Sequence, residues 1–367
     1  MSKLKVTTIS DPDNDNTALT IDSSGNVTAS QNTTLSGDVT VSGGFIPSTQ
    51  LSHRNLIING DMRIAQRGTS ETGVTATTYI CDRWRWYSNL ADTVTISQST
   101  DAPDNFAYSL KMQVTTADTS TTNCYACFEQ MIEAQDLQHL QYNSSNAKTL
   151  TASFWVKSSQ AGTHIVGMYA DNGSTNRDIS TTYTVNSANT WEYKTVSFIG
   201  NTSEPINNDN GRGLRLWFIV DARGDKASGS NDTWGGVGNR GAGIGNELLD
   251  TVGNTFQITG VQLEVGSVAT PFEHRSYGEE LARCQRYYWR SFYFGSAYYG
   301  MRYGSTNVMV VIELPTTMRV TPTVSYTGFT GSGTLYSTYN NADRLQIYIS
   351  DADGAAGVYG TEADAEL

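Results

Sequence analysis

The sequence is poor in charge. Lysine, arginine, aspartate and glutamate make up 16% of its 367 residues, against about 25% in an ordinary globular protein. Threonine, serine and asparagine fill the gap, a composition that suits strands and turns rather than surface helices. Positive charge is the scarcer sign, 24 basic against 36 acidic residues for a formal net charge of −12. That excludes nucleic acid as a partner, since phosphates need a basic surface, and argues equally against anionic membranes. No run of about 18 apolar residues is present to span a bilayer. The opening MSKLKVTTISDPD has no apolar core of a secretory signal, so synthesis and first folding are expected in a cytosol.

Cysteine and histidine number four each. Cys124 and Cys127 form a lone CxxC. A structural zinc site needs a second pair at similar spacing, and redox use needs a βαβ setting. Neither is present, so Cys81, Cys124, Cys127 and Cys284 read as ordinary buried thiols. His53, His139, His164 and His274 stand in no recognisable nucleophile motif. Asp11, Asp13, Asp15 and Asp22 have the spacing of a calcium loop. Its sixth position is Asn16 rather than glycine, and the flanking helices are missing. The Gly-rich stretch around Trp234 and Arg240 has no GxGxxG between a strand and a helix, which argues against a nucleotide site.

What is there divides into three texture classes. Residues 1–50 hold small side chains with single apolar positions, Leu19/Ile21, Val27/Ala29 and Val39/Val41, in short alternation. Such a segment buries too little to offset an ordering cost of roughly 1–2 kcal/mol per residue. It is either a flexible linker or a stem in which sister chains share a core. The alternation favours the second, a homotrimer. Residues 51–275 carry strands every 10 to 25 residues with Asn, Gly and Ser clusters between them, the spacing of an antiparallel jelly-roll β-sandwich. One brief helix is expected at Gln135–Gln141. Residues 276–367 open with a short helix and continue as a small, Tyr-rich β-domain with an acidic tail expected to fray. The fold class is all-β throughout.

Period-2 alternation assigns the faces. Leu150, Ala152, Phe154 and Val156 point to the core, with Trp155 and Lys157 away. Leu214, Leu216, Phe218 and Val220 point in, with Arg215, Trp217 and Asp221 out. In HIVGMYA either Ile165, Gly167 and Tyr169 or His164, Val166 and Met168 face inward. Along Phe256–Val265, one face carries Phe256, Ile258, Gly260, Gln262 and Glu264, and the other Val261, Leu263 and Val265. Large aromatics beside Arg and Asp on non-core faces suggest a binding groove or a subunit interface. The candidates are Trp155, Arg215, Trp217, Asp221 and Trp234, contacting either a sugar or a sister chain.

Five blocks, in order, carry a resemblance: Arg54–Gly68, Thr78–Tyr87, Lys148–Thr163, Asn189–Gly200 and Ile258–Tyr288. Together they resemble a family of tailed-phage virion fibre proteins common among phages of marine bacteria. Leu314–Gly328 resembles a β-block found downstream in the same proteins. The central region is similar to jelly-roll carbohydrate-binding modules, in its Asn59-Gly60 turn, its Phe154–Lys157 strand and its Val261–Glu264 closing strand. Many such modules hold a structural calcium, and the resemblance implies Asn59, Asp61 and Glu264 as parts of that site. Where those modules often place acids, this chain has Thr259 and Gly260.

The resemblance implies a non-enzymatic tail fibre. Its N-terminus would dock on tail or adaptor proteins, and its tip would meet a glycan or outer-membrane receptor on the host. The alternatives are a capsid or collar fibre and a glycan-binding accessory module. A depolymerase would need two carboxylates about 5–10 Å apart, and no pair in the sequence stands out. The full chain is expected to sediment as a trimer at micromolar concentration, and a monomer there would count against the shared stem.

Overall fold

The computed structural model describes residues 7–10, 17–21, 23, 27–29, 52–120, 123–172, 175–227, 230–236, 238, 242–245, 247–291, 298–303, 307–330, 334–350 and 356–367. They fall in two compact units, residues 1–48 and 49–367. In the first, β1 (Thr8–Ser10), β2 (Thr17–Ile21) and β3 (Val27–Ala29) pair as an antiparallel meander, with Leu19 opposite Ile9 and Ala29. Leu19 and Ile21 are half-buried and Val27 is 63% exposed. The rest of the expected stem, including Val39 and Val41, lies outside the described residues.

The second unit begins with a two-sheet sandwich. Its strands in chain order are β4 (Ser70–Val74), β5 (Thr78–Tyr79), β6 (Arg85–Ser88), β7 (Thr93–Ser99), β8 (Ser109–Thr116), β9 (Cys124–Glu133), β10 (Leu150–Ser158), β11 (Gly162–Ala170), β12 (Arg177–Val185), β13 (Glu192–Phe198), β14 (Arg212–Arg223), β15 (Gly235–Gly236) and β16 (Thr255–Val265). One sheet runs β13-β10-β16-β8-β7-β4 and the other β15-β12-β11-β14-β9-β6-β5, with antiparallel pairing in both. The chain passes repeatedly between them, so each sheet's inner face closes the other. Phe154 of β10 meets Phe218 of β14 edge to face, with centroids 4.8 Å apart. A 3-10 helix at Ala134–Leu140 takes the place of the expected brief helix.

The two strands with clear patterning hold their assigned core faces. Leu150, Ala152, Phe154 and Val156, and Leu214, Leu216, Phe218 and Val220, all join one buried cluster. The HIVGMYA ambiguity resolves with Val166 and Met168 inward and Ile165 and Tyr169 outward. His164 sits between the rings of Tyr183 and Phe256.

Among the strands with assigned faces, simple alternation fails in two, each at a β-bulge. In β16, Gly260 takes φ +60° and the register slips between Ser153 and Trp155 of β10. Phe256 and Ile258 before the bulge, and Val261 and Leu263 after it, therefore all reach the core. An extra residue on one strand rotates everything beyond it by one position. In β14 the slip between Ile219 and Asp221 sets Asp221 opposite Ala126, a core residue. Asp221 is thus removed from the outer face on which alternation places it.

After β16 the chain enters α1 (Tyr277–Gln285), whose N-cap Ser276 accepts from the Glu279 N–H. A second core follows, built on Trp289, Val308, Val310, Ile312, Leu345, Ile347 and Ile349. The sequence places a hinge and a separate domain here. Residues 49–367 form one compact unit, in which charged contacts join the two cores. Arg286 forks onto the fully buried Glu133 carboxylate at 2.7 and 2.8 Å. Arg83 pairs with Glu366 and stacks on Tyr287, 3.4 Å from the ring centroid. The acidic tail is not frayed where described. Its strand Glu362–Asp364 lies between Tyr288–Arg290 and Thr323–Ser325, bonded to both.

Burial works to raise the Glu133 carboxyl, but hydrogen bonds from Arg286 and Tyr287, with the Arg286 charge, outweigh it and hold the group below its ordinary value of 4.5. A folded-state value below the unfolded one adds stability that is complete above the unfolded value and is lost as pH falls through the folded one. The melting temperature is therefore expected to fall in acid below about pH 4.5. Arg286→Ala strands a buried carboxylate, at a cost toward the lower end of about 3–5 kcal/mol. Thermal melts of both proteins at pH 7 and pH 3 check this: the gap between them should narrow at pH 3.

Candidate functional site

The outer face of the six-stranded sheet carries an open aromatic cleft. Trp155 of β10 pairs across the strands with Tyr193 of β13, their ring centroids 5.5 Å apart. On its other side Trp155 pairs with Thr259, the residue before the bulge. The bulge forms the floor. A Cβ at Gly260 would lie 2.6 Å from the Phe106 ring and 3.1 Å from Trp155 Cδ1, so glycine is required both for its φ and for these rings to close over bare backbone. Phe106 comes from the loop before β8. Phe272 and His274 come from the link after β16, and the three rings pack at 4.9–5.5 Å. The cleft encloses about 360 Å³, and Asp104, Asn105 and Ser153 supply its polar rim. Tyr193 is 46% exposed, and Trp155 is half-buried.

A polar station adjoins this cleft on the same face. Asp101 accepts from Lys157 Nζ at 2.8 Å, Trp191 Nε1 at 3.0 Å and Gln257 Nε2 at 3.3 Å. Partial burial alone would raise the Asp101 carboxyl, and these three donors with the Lys157 charge bring it below the usual carboxylate range. The carboxylate stays ionised and fixes Trp191 and Lys157 in place. Aromatic faces with a rim of Asp104, Asn105 and Ser153 suit a ligand with both apolar faces and hydroxyls.

Of the five residues nominated from the sequence, Trp155 lies in the cleft. The other four do not join it. Trp217 does project from the outer face of its sheet, as alternation requires, but is fully buried. Ile165, Ile219 and Tyr169 pack round it, with Ala227 and Ile244 from the Gly-rich segment. It lies across Gly167, where any Cβ would collide with its indole nitrogen. It leaves no exposed surface for a sugar or a sister chain to touch. Arg215 is buried on Glu129 at 2.9 Å and over the Tyr169 ring. Asp221 is fully buried, gripped by Arg223 through two 2.9 Å bonds and by the Leu249 N–H. Trp234 is half-buried, its indole donating to the Ile199 carbonyl at 2.7 Å and its ring packed on Tyr142.

No protein-family profile matches the chain, and no curated protein matches it. Among solved structures, it is similar to the enzymatically active domain of tailspike protein 4 of bacteriophage CBA120, at 15% identity and a TM-score of 0.35, over 58% of this chain and 21% of that one. The chain thus spans about a fifth of the length of that solved domain. It is also similar to a family 30 carbohydrate-binding module (12%, TM-score 0.29, 58% of this chain and 89% of that one). A third likeness is to a xylan-binding CBM22 domain of Paenibacillus barcinonensis (17%, TM-score 0.28, 49% and 91%). These likenesses go no further than the all-β sandwich class.

The residues implied for calcium are committed to protein partners. The Asn59 side chain donates to the Ile64 and Asp82 carbonyls and accepts from the Ile64 N–H. Asp61 pairs with Arg63. Glu264 accepts from the Thr270 N–H and hydroxyl and from Gln262. Oxygens already holding these donors, with a guanidinium on Asp61, do not fit a shared cation. All four cysteines are buried thiols.

Sequence reasoning missed Phe106, Tyr193, Gly260, Phe272 and His274. Tyr193 was legible as the outward partner of Trp191 in the WEYK strand. Gly260→Val is expected to cost about 1–2 kcal/mol for the left-handed backbone alone, and more for the collision with Phe106. Trp155 should become more accessible to a soluble quencher. Unchanged melting and quenching would show that the floor is not so constrained.

Proposed function

We propose that the protein is a structural phage virion fibre whose sandwich binds a glycan on the host surface through the aromatic cleft. The observation that carries this reading is the cleft itself. Trp155, Tyr193, Phe106 and Phe272 gather on one open sheet face, beside an ionised Asp101 that orients a further tryptophan. Apolar surface left open on a charge-poor sheet costs stability unless a ligand uses it. The five sequence blocks that resemble phage fibre proteins supply the virion setting. Attachment through residues 1–50, a homotrimeric state and a place on the tail belong to this proposal and rest on that resemblance.

Binding without cleavage is the reading for the cleft. Asp104 is on its rim, and the adjoining Asp101 is already engaged by Lys157, Trp191 and Gln257, whereas hydrolysis of a glycosidic bond draws on two carboxyl groups flanking the bond. The outer face of the opposite sheet is sealed over Trp217 and offers no comparable surface among the described residues.

Trp155→Ala and Tyr193→Ala, in the whole fibre, are expected to reduce adsorption of particles to host cells at least tenfold while melting and oligomeric state stay as in the parent. Trp217→Ala should instead lower melting. Adsorption that is unaffected by both cleft substitutions would overturn the proposal.

A further inference from the structure

A second cleft opens within the same unit, at the seam between its two cores. Three sheet edges meet there: β4, β5 and the strand Thr323–Ser325 each end their sheets. The cavity measures about 580 Å³, inside the range of roughly 300–1,000 Å³ usual for ligand pockets. It differs from the aromatic cleft in chemistry. Arg67 forms its inner wall, its guanidinium 3.6 Å from the Tyr288 ring centroid and 4.8 Å from that of Tyr79. Hydroxyls of Ser70, Thr77, Thr78, Thr323 and Ser325 line the sides.

Charge decides the ligand class. Three carboxylates, Glu71, Glu362 and Asp364, line the cavity against the one guanidinium. Two of them are neutralised: Asp364 pairs with Arg67 at 3.1 Å and Glu362 with Arg290 at 3.3 Å. Glu71 takes a hydrogen bond from the Thr78 hydroxyl at 2.8 Å and forms no ion pair among the described residues. The cavity therefore presents one uncompensated negative charge, hydroxyls that both donate and accept, and a flat aromatic-guanidinium wall. A compact hydroxyl-rich molecule bearing one ammonium group satisfies every part.

We propose that this seam cleft is a second carbohydrate site, selective for amine-bearing sugars. The ammonium pairs with Glu71, the sugar hydroxyls exchange hydrogen bonds with Ser325, Thr323 and Ser70, and the ring lies against the half-buried Tyr79. It goes beyond the proposed function, because neither its residues nor its ligand class are those of the aromatic cleft.

Isothermal titration of the full chain with a glucosamine trimer at low salt tests it. The parent and Trp155→Ala are expected to bind alike. Ser325→Trp, which fills the cavity from an exposed position, should weaken binding at least tenfold. Glu71→Gln should weaken it about fivefold and flatten its salt dependence, since the ion pair is the screened part. Trimers of glucose and of galacturonate should bind at least fivefold more weakly than the amine. The proposal is overturned if the parent gives no heat, if Trp155→Ala abolishes it, or if Ser325→Trp with unchanged melting binds as the parent does. Should Ser325→Trp melt early, Ser70→Trp on the opposite wall replaces it, with the same outcomes.

Discussion

The organising constraint is that a strand buried on one face must keep that face through its whole length, and β16 does so only by breaking its own period. Its first half would bury Phe256 and Ile258, and its second half Val261 and Leu263, which lie on opposite faces of a regular strand. One left-handed glycine, Gly260, reconciles them. The same residue leaves a patch of bare backbone on the outer face, and Phe106 and Trp155 close over it. Core continuity and the candidate site thus follow from a single conformational choice, one that other residues adopt at a cost of about 1–2 kcal/mol.

A second constraint is electrostatic. The seam between the two cores is held by carboxylates with buried side chains and their guanidinium partners, Glu133 with the half-buried Arg286 and Glu366 with Arg83. Such pairs add little over a well-packed apolar contact, but losing one partner is costly. They specify how the cores meet. Tyr287 and Tyr288 reinforce this by presenting ring faces to Arg83 and Arg67, and the same Arg67 and Tyr288 become the wall of the seam cleft.

Much of the fold was legible because strand periodicity is a local property. Alternation placed Leu150–Val156 and Leu214–Val220 correctly, and the all-β class followed from composition and spacing. Alternation also set Trp155 and Trp217 on outer faces, and both are there. It could not say which outer face is covered, since that depends on Ala227 and Ile244 arriving from a distant Gly-rich segment. It failed at Asp221 and beyond Gly260, because a bulge is decided by the pairing of two strands: Gly260 is the trace of one, and the slip between Ile219 and Asp221 leaves none in the sequence. The seam was illegible for a related reason. Glu133 and Arg286 are 153 positions apart, and charges in sequence look alike whether solvated or buried.

The sealing of Trp217 makes the sandwich one-sided. One broad surface is closed by the chain's own loop, while the other keeps its rings open to the surroundings. In the proposed homotrimer such a body would repeat its open side at fixed angular intervals around the axis. Grip on a dense coat of identical targets would then grow from how many sides land together, not from the quality of any one of them.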